Sequence, residues 1–344
     1  MLKFGICDLS DGKGMRRLLS ANQRYFRRSC FIGLYDEALA LEGESAERCQ
    51  EAILNSFAIA NHAFKRTSKD RFTAFDETST NTLAAIAAIR DSCVVHDLAA
   101  SDGRTACDFF ARLSGVFGSA LEFYASDLCV RVTVLGFSEG HTRVVVDEHG
   151  NVLQLLFAPF VLSLAQKESW LYPVNRCLRA VLMRTAVSRV LRLSRANDPA
   201  IERRDIVLVC PQAKRLMQTH ANFHFEVYDI FDKAPRDYTV VRAMNILNPG
   251  YFDDAALSSA VANVFESLEE GGVFITGSNE DAGSIVNGTI YRKRGGAFEP
   301  ICVSGKGSPV DSIVTHLSKD LLAAQSPADG PAALGAIGLR ANGT

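Results

Sequence analysis

From Ser92 onward the chain alternates short apolar runs with segments of helical period, and this alternation restricts its architecture more than any other feature. The strand-like runs are Cys93 to Asp97, Leu121 to Ser126, Phe223 to Tyr228, Tyr238 to Arg242 and Val273 to Gly277. Helical periods stand between them at Arg104 to Phe117 and at Asp253 to Leu268. Strands separated by helices predict an α/β fold with a mostly parallel sheet covered on both faces.

One interval breaks the rhythm. Asp127 and Asp229 are 102 positions apart, too many for one helical crossover, so an inserted β/helical subdomain is expected at about 130–204. Its first part, "VRVTVLGFSEGHTRVVVDEHGNVLQLLFAPFVL", is β-rich and broken at Gly136, Gly140 and Gly150, which predicts a small antiparallel unit. Its second part, "NRCLRAVLMRTAVSRVLRLSR", is helical, with arginines at 176, 179, 184, 189, 192 and 195 that form either a solvated face or a docking surface for an acidic partner.

The flanks read differently. Residues 1–90 carry helical periods, including one at Thr78 to Arg90, and form an N-terminal helical region that could cover a substrate. Within it Tyr25, Phe26, Arg27 and Arg28 are either part of such a lid or ordinary core and surface residues. Residues 91–320 hold the sheet domain with its insertion. Ser284 to Arg292 and Phe298 to Val303, joined at Gly295 and Gly296, predict a hairpin that gives the sheet an antiparallel last strand. Residues 321–344 are small and aperiodic, a flexible tail.

Composition excludes several classes of function. With 37 Lys and Arg against 39 Asp and Glu there is no global field for nucleic acid or an anionic membrane. The nine cysteines are scattered without a C-x-x-C pair, as expected for reduced thiols, and no metal site is expected. Asp8 and Asp11 interrupt any apolar leader, and the chain is expected to be soluble and cytoplasmic. Oligomeric state leaves no signal in the sequence.

Ligands of doubly wound sheets bind outside the carboxyl ends of the strands. Here "HDLAASDG" is the turn after the first strand, with small residues Ala99, Ala100, Ser101 and Gly103 ahead of a helix start. A dinucleotide loop would need more glycines, which disfavours a dehydrogenase. Asp97 would repel phosphates but suits a cationic or amino-bearing cofactor. Asp127, ending the second strand, can accept both hydroxyls of a ribose, and Asp229 beside Ile230 and Phe231 can frame an adenine. Three acids in that order at successive strand ends suit S-adenosylmethionine. His96, inside the first strand, is either a core residue or a proton carrier.

The chain thereby resembles the class I S-adenosylmethionine-dependent methyltransferases. "VVHDLAASDG" is similar to their first motif, "FYASD" to the second, "DIFD" to the adenine-side motif, and the segment Asp237 to Asp281, with "LEEGGVFI", to the later ones. "VRAMNILNPGYFDD" is similar to a loop of the chemotaxis-receptor methyltransferases, except that Ala243 and Met244 separate Arg242 from Asn245. The resemblance implies a Rossmann-like fold and S-adenosyl-L-methionine as cofactor. It implies Asp97, Ala99, Ser101, Gly103, Asp127, Asp229, Ile230, Phe231 and Arg242 as cofactor-binding residues, and Arg242, Asn245 and Tyr251 on the acceptor side, where Arg242 would attract a carboxylate. The implied acceptor is an O or N atom on a small molecule or a protein carboxylate. "NPGYF" has Gly250 where nucleic-acid amino methyltransferases carry a proline, so nucleic acid is not the expected partner. A non-catalytic binding or regulatory protein on the same fold is the alternative.

Overall fold

The computed structural model describes residues 5–7, 9, 30–41, 44–65, 68, 70–86, 91–138, 142–165, 173–279 and 285–325. Before the first sheet strand come α1 (Tyr35–Leu39), α2 (Glu44–Asn55), a tight turn closed by a bridge between Ala58 and Phe64, and α3 (Thr73–Ala85). Then follow β1 (Cys93–Leu98), α4 (Arg104–Phe117), β2 (Leu121–Asp127), β3 (Arg131–Phe137), β4 (Thr142–Asp147), β5 (Val152–Phe157) and β6 (Phe160–Ser163). After them come α5 (Pro173–Leu182), a π turn (Met183–Val187), α6 (Ser188–Arg195), β7 (Ile201–Val207), α7 (Pro211–Thr219), β8 (Phe223–Val227) and β9 (Tyr238–Met244). The described chain ends with α8 (Asp254–Ser267), β10 (Leu268–Asn279), β11 (Val286–Arg294), β12 (Ala297–Ser304) and α9 (Asp311–Gln325).

The main sheet has the order β12-β11-β10-β9-β1-β2-β8. Pairing is parallel from β8 through β10, while β11 is antiparallel to both β10 and β12. The reversed strand is therefore β11, and the final strand β12 returns to the direction of the others, since the chain reverses once between β10 and β11 and again between β11 and β12. The fold is α/β and Rossmann-like. Strand alternation divides the core. Cys93 and Val95 of β1 face α3, α4 and α7 through Phe75, Phe109, Phe110 and Ala213. Val94 faces the opposite layer, where Leu257, Val261 and Val264 of α8 meet Val310 and Val314 around α9.

The stretch between β2 and β8 holds a second, antiparallel sheet in the order β6-β5-β4-β3-β7. One face packs on α2 and its neighbours, where Ile53, Leu54 and Phe57 meet Val132, Val134, Val145 and Leu153. Val187 and Val190 cover the other face against Leu135, Val144 and Leu155. Arg184, Arg189, Arg192 and Arg195 are exposed.

Several expectations shift. The helix expected at Thr78 to Arg90 runs from Thr73 to Ala85, because its apolar anchors Phe75 and Leu83 lock it onto α4; residues 87–90 lie outside the described residues, as do Tyr25, Phe26, Arg27 and Arg28. The N-terminal region is shared between the sheets: α2 packs on the second and α3 on the first. Residues 321–325, expected in the tail, continue α9, with Leu321 against the core; residues 326–344 are outside the described set. The edge strand β7, "IERRDIV", exposes a run of charged residues, which hides a strand from periodicity but protects an edge. Among the described residues no helix is long and apolar enough to cross a membrane.

Candidate functional site

A cavity opens beyond the carboxyl ends of β1, β2 and β9, beside the strand from which the chain departs in both sheet directions. Its floor is the β1–α4 turn, and its roof comes from Ile59, Asn61, Ala63, Phe64, Lys65, Arg71 and Phe72 of the N-terminal region. Of the residues singled out in the sequence, Asp97, Ala99, Ser101, Asp127, Asp229, Ile230, Arg242, Asn245 and Tyr251 all line it.

The turn has the backbone of a glycine loop without the glycines. Ala99 (φ 54°), Ser101 (φ 59°) and Gly103 (φ 87°) all take left-handed conformations. For the two residues with a Cβ this costs about 1 kcal/mol or more each, held in place by the hydrogen bonds Ala100 N–H to Ser126 O (2.8 Å) and Ser101 N–H to Asp127 Oδ2 (2.9 Å). Gly103 does not line the cavity. A Cβ there would come within 2.7 Å of the Phe225 ring and 3.1 Å of Ala213, so its role is close packing of the helix start.

Asp97 and Arg242 are register partners on neighbouring parallel strands. The Arg242 Nη1 donates to both Asp97 oxygens (2.8 and 2.9 Å), and Nη2 to both oxygens of Asp76 on α3 (2.9 and 3.1 Å). All three side chains are at most 2% exposed. The rings of Phe109 (4.7 Å) and Phe72 (5.3 Å) flank the guanidinium. Arg242, expected to receive an acceptor carboxylate, is thus committed: its terminal nitrogens already hold two carboxylates of the chain itself. Two buried acids share one buried base, so one negative charge is in excess. Burial accordingly raises the Asp76 carboxyl to about 6 and pushes Asp97 upward, with Arg242 opposing both. Burial also works against the charge of Arg242, but Asp76 and Asp97 outweigh it and raise its pKa.

Asp127 is committed as well. Its Oδ1 accepts from Lys65 Nζ (2.8 Å) and Cys129 N–H (3.0 Å), and its Oδ2 from Ser101 N–H. A carboxylate oxygen offers about two acceptor positions, so only Oδ2 retains one. For the pair of ribose hydroxyls expected at Asp127, one acceptor position stays open, on Oδ2. Lys65, 2% exposed, also donates to Ser101 O (2.9 Å) and Cys129 O (2.7 Å).

Asp229 turns inward on its own loop, accepting from Phe231 N–H at 3.1 Å. Phe231, expected to flank an adenine, does not line the cavity; its ring packs edge-on against Phe252 at 5.3 Å. Asn245 (φ 62°) is clamped by β10, its N–H donating to Gly277 O (2.8 Å) and its Oδ1 accepting from Asn279 N–H (3.1 Å). Among the described residues its buried Nδ2 has no partner, nor does the buried Ser101 Oγ. His96 is a core residue: its Nε2 bonds Ser126 Oγ (2.8 Å), its ring lies between Tyr228 and Tyr238, and burial pulls its pKa to about 3.

Sequence reasoning missed Lys65, Arg71, Asp76 and Asn279. Arg71 Nε donates to Asn279 Oδ1 (2.9 Å) on the cavity wall. One signal was available: β9 is buried throughout, and an arginine inside a buried strand demands carboxylate partners.

No protein-family model and no curated protein sequence matches this chain. Among solved structures it is similar to an O-methyltransferase from neocarzinostatin biosynthesis in complex with S-adenosyl-L-homocysteine (13% identity, 62% of this chain and 43% of that one, TM-score 0.27). It is also similar to an O-methyltransferase family protein from Burkholderia thailandensis (11%, 71% and 48%, TM-score 0.29) and to a sugar N-methyltransferase from Streptoalloteichus (12%, 64% and 58%, TM-score 0.29). The matched stretch spans about half of those chains.

Proposed function

We propose that the chain binds S-adenosylmethionine in this cavity and transfers its methyl group to an O or N acceptor on a small molecule or a protein carboxylate. The observation that carries this is the charge of the cavity. In and directly beneath it, Asp76, Asp97, Asp127 and Asp229 stand against Lys65, Arg71 and Arg242, an excess of one negative charge. A phosphate-bearing dinucleotide is repelled there, whereas a ligand with a sulfonium, an ammonium and one carboxylate is complementary.

The residues fit such a ligand on its amino-acid side and constrain it on its ribose side. Left-handed Ala99 and Ser101 let backbone approach the ligand, and the orphaned Ser101 Oγ and Asn245 Nδ2 are polar groups that a bound molecule would satisfy. Asp97 would face the cationic end, Arg71 the carboxylate, and the open position on Asp127 Oδ2 one ribose hydroxyl. Bound S-adenosylmethionine supplies an electrophilic methyl group. The protein then needs to orient the acceptor and exclude water. Asn245 Nδ2 and Tyr251 would orient the acceptor, and Phe64 and Phe72, which also line the cavity, would keep it dry. The commitment of Arg242 to Asp76 and Asp97 leaves acceptor binding to these neighbours.

The test is calorimetric titration of the full chain with S-adenosylmethionine, expected to show saturable 1:1 binding. No binding at millimolar ligand overturns the reading. A second reading, a binding protein without transfer, is favoured by Lys65 filling Asp127 Oδ1; binding without methyl transfer to any acceptor pool would establish it.

A further inference from the structure

The strand-end acid Asp97 cannot by itself attract a cation, because Arg242 cancels it. The bidentate contact at 2.8 and 2.9 Å makes the pair neutral as seen from the cavity. The excess charge comes from elsewhere: Asp76, on a helix that precedes the sheet and bears no motif, binds the other side of the same guanidinium. Arg242 lines the cavity while 1% exposed, so the cluster borders the ligand space directly; among the described residues its buried Nε has no partner. Beyond Arg242, the half-buried Arg112 on α4 is a further cation that opposes the upward shift of Asp76.

We infer that Asp76 is the positioning residue that makes this cavity select a cationic ligand, holding Arg242 so that Asp97 retains an uncompensated charge toward a sulfonium. This rests on the reading proposed above and assigns its charge selectivity to a residue outside the strand-end acids. Asp76 acts through Arg242 and does not line the cavity. Its effect therefore falls on ligands that differ in charge more than on ligands that differ in shape.

The experiment compares S-adenosylmethionine with its demethylated thioether, which has the same amino acid and nucleoside but lacks the sulfonium charge. Both are titrated calorimetrically into the full-length wild type, Asp76→Asn and Asp76→Glu. Asparagine can still accept a hydrogen bond from Arg242 but leaves the cluster neutral. A unit charge at cluster distance in a buried site predicts that Asp76→Asn weakens the sulfonium about tenfold and the thioether less than about threefold, with Asp76→Glu restoring the wild-type ratio. An unchanged ratio in Asp76→Asn overturns the inference while the proposed function stands. A wild type that binds the thioether more tightly than the sulfonium also overturns it, with no variant required. A wild type that binds neither ligand removes the proposed function itself.

Discussion

Lys65 Nζ lies 2.8 Å from Asp127 Oδ1 across 62 positions of chain and ties the N-terminal region to the end of β2. Both side chains are below 10% exposed. Removing one partner leaves the other charged and dry, so Lys65→Met is expected to lose about 3 kcal/mol in denaturant unfolding, a cost typical of broken buried pairs. Lys65→Met/Asp127→Asn should lose clearly less than the sum of the two single changes. Additive losses would mean that the pair is not coupled.

The turn after β1 gives opposite expectations at two neighbouring positions. Gly103→Ala puts a Cβ 2.7 Å from the Phe225 ring at φ 87°, and should cost about 2 kcal/mol or more in the same measurement. Ser101→Gly relieves a left-handed serine at φ 59° but frees the unfolded chain, and these nearly cancel to within about 0.5 kcal/mol. Equal losses at both positions would contradict the turn geometry.

Asp76 sets a pH dependence whose sign follows from burial. Its pKa rises from 3.8 to about 6 on folding, mainly because burial disfavours the charge, against the pull of Arg242. Its stabilising contribution is complete below the unfolded value near 4 and is lost as pH rises through 6. Asp76→Asn has no such proton. The stability of this variant relative to wild type should therefore increase by about 2–3 kcal/mol between pH 4 and 7, measured as paired denaturation midpoints. A constant difference across that range would refute the assignment.

His96 runs the other way. Burial lowers its pKa from 6.5 to about 3, so the stability linked to its neutral ring is complete above 6.5 and lost as pH falls toward 3. Its ring resonances in a proton–carbon NMR spectrum should stay flat from pH 7.5 to 4.5. A titration midpoint near 6.5 would show the ring to be solvated.

Local pattern reveals elements whose buried face is continuous in sequence. The helix Arg104–Phe117 is legible to the residue, and β1, β2, β8 and β9 are legible to within two, since each carries an apolar face and a sharp end. The strand-end acids are legible for the same reason. What they touch is not. Asp97 meets Arg242 across 145 positions and Asp76 meets it across 166, separations that no periodicity encodes. Phe231 shows the converse: beside Asp229 in sequence, it turns to Phe252 instead of the cavity. The left-handed backbone of Ala99 and Ser101 is likewise imposed by hydrogen bonds from β2 and Asp127 rather than by the residues themselves.

The sharing of the N-terminal region between two sheets has a consequence for synthesis. Ile53, Leu54 and Phe57 share their apolar cluster with residues of β3 to β7, and the last of these, around Ile206, lies roughly 150 residues downstream. At about 5–20 residues per second a ribosome needs on the order of ten to thirty seconds to deliver that partner surface. During that interval the α2 segment emerges with its greasy side uncovered, a natural client for holding chaperones. A segment made before the second sheet is fully covered only after it.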